Sequence, residues 1–126
     1  MSADTCVLVV DDEHLIALSL RLTLEEMGIE VCGTAATAVK AVELAQRHRP
    51  GIILMDVRLR GERDGVDAAL EIHRTLDVAI IFITGSREPE TVARIHQDHP
   101  AAILFKPILP IHLREAIEKV RQRNDG

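Results

Sequence analysis

Four apolar runs in this 126-residue chain each end in a residue capable of polar chemistry. The run 7–10 leads into Asp11, Asp12 and Glu13, and the run 52–55 leads into Asp56. The run 80–83 ends at Thr84, and 103–105 ends at Lys106, followed by Pro107. Asp11, Asp12 and Asp56 brought into one small volume repel one another unless one is protonated or a cation joins them. Oxygen-only ligands with room for water suit Mg²⁺ better than zinc. A carboxylate at a strand end can act as a nucleophile, and toward phosphorus it does so when positive charge neutralises the incoming oxygens. Thr84 offers a hydroxyl to one such oxygen, and Lys106 a flexible point charge to another. Together these residues describe a site for a metal ion and a phosphoryl group.

The elements that must position them follow from the same runs. Short Val- and Ile-rich stretches separated by helical segments read as buried parallel strands, near 6–10, 29–34, 52–55, 80–83 and 102–105. In an open parallel α/β sheet, ligand sites lie beyond the carboxyl ends of the strands, so all four endings share one edge. A first helix follows the acids, with Leu15, Ile16, Ala17, Leu18, Leu20, Leu22 and Leu24 as a broad apolar face and Gly28 as its stop. A second covers about 37–48, with Thr37 as cap and Arg47, His48 and Arg49 at its end, before Pro50-Gly51. A third spans about 66–76 after the loop 58–65. A fourth spans about 89–98, with Pro89 in the first turn. A fifth runs from Pro110 to about Arg123, leaving 124–126 frayed. Lys106-Pro107 at a strand end is a candidate cis bond. The alternation predicts an α/β fold, a five-stranded parallel sheet with helices on both faces, as one domain over 1–126.

Composition narrows the function. Apolar residues make up 47% and the net charge is −5 without a basic block, which argues for a real core and against direct nucleic-acid binding. Aromatic content of 2% argues against stacking recognition of bases or flavin. No apolar stretch reaches membrane-span length, and residues 1–5 lack signal-peptide character, so a cytoplasmic location with no membrane partner is expected. Cys6 and Cys32 lie in the first two strands. If those strands are neighbours the thiols come close, but the expected state is two buried apolar thiols in a reducing compartment. The six histidines show no metal spacing with an acid and no phosphotransfer motif, and His96 and His99 share a solvated helix face.

Leu8-Val9-Val10-Asp11-Asp12-Glu13, Leu54-Met55-Asp56, Ile83-Thr84-Gly85 and Phe105-Lys106-Pro107, in that order and spacing, resemble the receiver domain of bacterial two-component response regulators, from about residue 5 to 122. The resemblance implies the flavodoxin-like, doubly wound fold with strand order 2-1-3-4-5. It implies that Asp56 accepts a phosphoryl group from a sensor histidine kinase or phosphotransfer protein. Asp11, Asp12, Asp56 and the Arg58 backbone carbonyl would hold Mg²⁺, while Thr84 and Lys106 would hold the phosphate. The expected role is a stand-alone signalling switch, not an enzyme, with an unidentified downstream target. A relay or phosphate sink is the alternative within the family. An aspartate-nucleophile phosphatase of the haloacid dehalogenase type needs an acid two residues after Asp56, where Arg58 stands. A nucleotide-binding module needs a Gly-rich loop where the acids sit. Three features depart from the family. Ile103 replaces the aromatic often found three residues before the lysine, the loop after Asp56 is longer and lacks its usual proline, and Arg58 puts a long cation beside the acids. With no aromatic to flip, the switching motion is expected in residues 85–87 and the fourth helix.

Overall fold

The computed structural model describes residues 6–125. The expectations for residues 1–5 and for Gly126 lie outside the described residues. Five strands alternate with five helices: β1 Val7–Val10, α1 His14–Glu26, β2 Val31–Ala35, α2 Ala38–His48, β3 Ile52–Asp56, α3 Gly65–His73, β4 Ala79–Thr84, α4 Pro89–His96, β5 Ala102–Phe105 and α5 Pro110–Asp125. All pairings are parallel and the order is β2-β1-β3-β4-β5. Each crossover lays a helix on the sheet, and period-2 alternation splits every central strand between two cores. Leu8, Val10, Ile53, Met55, Ile80 and Phe82 pack against α2, α3 and Ile95 of α4. Val7, Val9, Ile52, Leu54, Ile81 and Ile83 pack against α1 and α5. β3 is buried along its whole length, as a central strand covered on both faces must be.

Capping residues set the helix limits largely as the sequence implied. The Thr37 hydroxyl accepts from the Lys40 amide, and α2 ends at Arg49 in the left-handed region. Gly28, with φ of 80°, follows α1, where a side chain would be strained. Lys106-Pro107 is cis. Three boundaries differ. α3 stops at His73 rather than near Leu76, and α4 stops at His96, so His99 lies beyond the helix with φ of 55° and shares no helical face with His96. α5 continues to Asp125 instead of fraying after Arg123. The broad apolar face of α1 is also narrower than expected. Ala17, Leu20 and Leu24 are buried, whereas Leu15, Leu18 and Leu22 are exposed, Leu15 by 77%. No described helix is long and apolar enough to cross a membrane.

The cysteines require a correction. Val7 pairs with Val31 but Leu8 pairs with Gly33, so the register slips by one residue and Cys32 sits in the irregularity. That slip brings Cys32 beside Cys6, with 5.4 Å between Cα atoms, and the two form a disulfide instead of remaining separate thiols.

Candidate functional site

Asp11 extends β1 by one residue: its amide donates to the Ala35 carbonyl at 2.9 Å. Its Oδ1 accepts from the Glu13 amide at 2.9 Å, which fixes the turn into α1. Asp11 is only 2% exposed, and its Oδ2 has no hydrogen-bond partner. Asp12, on the same turn, is half-buried. The turn therefore does what a continuing strand could not: it aims two adjacent carboxylates at one point.

Asp56 is the last residue of β3 and is 3% exposed. Val57 stays on the ladder through the Ile83 carbonyl at 3.0 Å, and the Arg58 amide donates to Asp56 Oδ1 at 3.3 Å. One carboxylate oxygen from each of Asp11, Asp12 and Asp56 lies within 4.8 Å of the others, the one such group of metal-capable side chains found among the described residues. Lys106 enters from β5, whose end is pinned by its amide donating to the Thr84 carbonyl at 2.9 Å. Its Nζ lies 3.1 Å from Asp56 Oδ2 and 3.7 Å from Asp11 Oδ2. Thr84 is buried, and its Oγ1 accepts from the Ser86 amide at 3.0 Å. Asp12, Asp56, Arg58, Thr84 and Lys106 all line one cavity of about 410 Å³.

Burial pushes the Asp56 carboxyl up from 3.8 to about 6, Asp11 adds to the rise, and Lys106 and the Arg58 amide offset part of it. Lys106 responds in reverse: burial opposes its charge, but Asp56 and Asp11 outweigh that and raise its pKa. Three acids, two of them buried, thus share one ammonium. The surplus negative charge, and an Asp11 Oδ2 that accepts no hydrogen bond and has only the Lys106 ammonium at 3.7 Å, fit a hard divalent cation with oxygen ligands. The arrangement offers a carboxylate nucleophile, a hydroxyl and an ammonium around a space large enough for a phosphoryl group.

Against that geometry, residues 7–118 match the response regulator receiver domain profile. The chain belongs to the response regulator receiver domain family. Among curated receiver relatives, it is 35% identical to the phyllosphere-induced regulator PhyR of Methylorubrum extorquens, over 91% of this chain and 43% of that protein. It is 38% identical to the transcriptional regulatory protein PdtaR of Mycobacterium tuberculosis, over 89% of this chain and 54% of that one. The chain therefore spans about half the length of these relatives. The signal receiver domain of a modulated diguanylate cyclase from Desulfovibrio desulfuricans superposes with a TM-score of 0.88 at 36% identity, over 94% of each chain. Receiver domains are signalling switches that accept phosphoryl groups, and the strand order found here is theirs.

Three side-chain constellations elsewhere in the domain are not evident from the sequence. Asp64 and Asp67 form a reciprocal capping box at the start of α3. Arg94 of α4 reaches both acids. His73 has its two ring nitrogens 2.9 Å from Asp98 Oδ1 and 2.7 Å from the Val78 carbonyl, so one histidine does meet an acid, although not at a metal centre. Arg87 stacks 4.1 Å above the Phe105 ring centroid, which places the aromatic of β5 at its end, two residues past Ile103. The Asp64–Asp67 spacing is a readable cap signal, whereas the other contacts join residues on separate elements.

Proposed function

We propose that Asp56 is the phosphoacceptor of a Mg²⁺-dependent receiver that takes a phosphoryl group from a histidine kinase or phosphotransfer protein and changes partner binding in response. The observation that carries this reading is the buried Asp56 carboxylate, with an ammonium 3.1 Å away and two further carboxylates within 4.8 Å. In the transfer, an Asp56 oxygen forms the new O–P bond as the donor's N–P bond breaks, and the donor imidazole leaves. Asp11, Asp12, Asp56 and the Arg58 carbonyl would hold the metal. When bound, Mg²⁺ supplies the positive charge that the three acids and the phosphoryl oxygens require. Lys106 turns from Asp56 to a phosphoryl oxygen, and the Thr84 hydroxyl donates to another. Because Lys106 and Thr84 share a ladder hydrogen bond, both move with the end of β5 and the start of the loop to α4.

Arg58 stands where an aspartate-nucleophile phosphatase of the haloacid dehalogenase type needs its general acid, which favours the receiver reading over that one. We place the protein in the cytoplasm, where such donors reside, with no membrane or nucleic-acid partner. Incubation with acetyl phosphate and Mg²⁺ should add one phosphoryl group by intact mass, and a chelator should prevent it. Equal labelling in both conditions contradicts the metal requirement.

A further inference from the structure

The Asp56 site is tied to α4 by a route that bypasses Thr84 and Lys106. It begins at Gly65, the first residue of α3. The Gly65 amide donates to the Val57 carbonyl at 2.7 Å, and a Cβ there would overlap the Asp56 carbonyl oxygen and lie 2.9 Å from Met55 Cγ. The start of α3 is therefore seated directly on the Asp56 backbone. One residue earlier, Asp64 caps α3: its Oδ1 accepts from the Asp67 amide at 3.0 Å, and Asp67 Oδ2 accepts from the Asp64 amide at 2.9 Å. The two acids have their remaining acceptor capacity turned toward Arg94. Arg94 Nη1 donates to Asp64 Oδ2, and Nη2 to Asp67 Oδ1 at 3.3 Å. Burial alone would raise the Asp64 pKa, but the Arg94 and Asp67 hydrogen bonds outweigh it and lower it, consistent with a formed ion pair.

At the other end of this contact, α4 is weakly held. Ile95 is its one buried residue. Beyond its C-terminus, buried Asp98 is fastened to His73 of α3. The helix thus has a buried pivot near Asp98, one apolar anchor, and a half-exposed Arg94 contact nearer the site. We infer that Arg94 is a clamp that couples the segment seated on Asp56 to α4, so that phosphorylation shifts both as one unit. Arg94 and Asp64 do not line the site cavity, so they position α4 and take no part in the transfer.

This inference rests on Asp56 being the acceptor, and its test separates the two claims. Hydrogen exchange of α4 would be followed with and without phosphorylation by acetyl phosphate and Mg²⁺, with intact mass recorded on each sample. The variants are Arg94→Ala and Asp64→Asn, since asparagine keeps the cap while removing the charge. Both should gain the phosphoryl mass as the unmodified chain does. In the unphosphorylated state their α4 amides should exchange roughly fivefold faster, the ratio a half-exposed ion pair supports. The phosphorylation-dependent change in α4 should shrink in both, while that in 57–67 persists. Full phosphoryl mass with an unaltered α4 response in the variants overturns the clamp, as does an α4 that never responds in the unmodified chain. No phosphoryl mass in any sample overturns the receiver chemistry instead.

Discussion

Replacing Asp56 with asparagine should make the metal-free protein more stable, by an amount the site geometry sets. The folded protein holds the Asp56 carboxyl at about 6 against 3.8 in the unfolded chain, because it is buried and faces Asp11. Each tenfold change in proton affinity is worth about 1.4 kcal/mol, so keeping Asp56 ionised costs about 3 kcal/mol above pH ~7. The sign follows from the raised value. The folded state binds the proton more tightly, so the contribution is fully present below 3.8 and is lost as pH rises through about 6. Asparagine carries no charge at any pH, and Lys106 keeps Asp11 as a partner at 3.7 Å. Urea unfolding without divalent cations should show Asp56→Asn to be more stable by about 2–3 kcal/mol near pH 8, and by only about 1 kcal/mol near pH 4.5. Added Mg²⁺ should narrow the gap by stabilising the unmodified chain. Equal stability of the two proteins near pH 8, or a less stable variant, would refute the reading of an electrostatically crowded site.

Asp12→Ala should weaken Mg²⁺ binding by at least about tenfold in a titration, since it removes one carboxylate from a three-carboxylate group. It should also raise metal-free stability, and unchanged affinity would contradict its role as ligand. Gly65→Ala should cost about 1–3 kcal/mol in urea unfolding, because the new Cβ meets the Asp56 carbonyl and Met55 rather than open space. Alanine at Gly85, where no atom lies within 4 Å of the added Cβ, serves as the comparison. Reduction of the Cys6–Cys32 disulfide should lower stability by up to about 3.5 kcal/mol, the chain-entropy value for the 26-residue separation it closes. Unfolding curves that coincide with and without reductant would show that it contributes nothing.

The positions of Asp11, Asp56, Thr84 and Lys106 were legible because each ends an apolar run, and parallel strands place such ends together. Helix starts were legible where a side chain caps, as at Thr37, or where proline sets the first turn, as at Pro89. α1 was harder to read. Its leucines fall on several faces, so periodicity alone did not show that Leu15, Leu18 and Leu22 face away from the core. The Cys6–Cys32 pairing depends on a one-residue slip in β1–β2 register, which no local pattern encodes. Arg94 with Asp64, and His73 with Asp98, pair residues 30 and 25 positions apart on different elements. Such contacts depend on how α3 and α4 lie together, and the sequence marks neither partner as special.

The most direct test of the central claim is chemical mapping of the acyl phosphate. The chain would be treated with acetyl phosphate and Mg²⁺, then with borohydride, which converts a phosphorylated aspartate to homoserine, and then sequenced by peptide mass spectrometry. Homoserine at position 56 and nowhere else, with no conversion in Asp56→Asn, is the predicted result. Conversion at Asp11 or Asp12, or persistent labelling of the Asp56→Asn protein, would contradict the account.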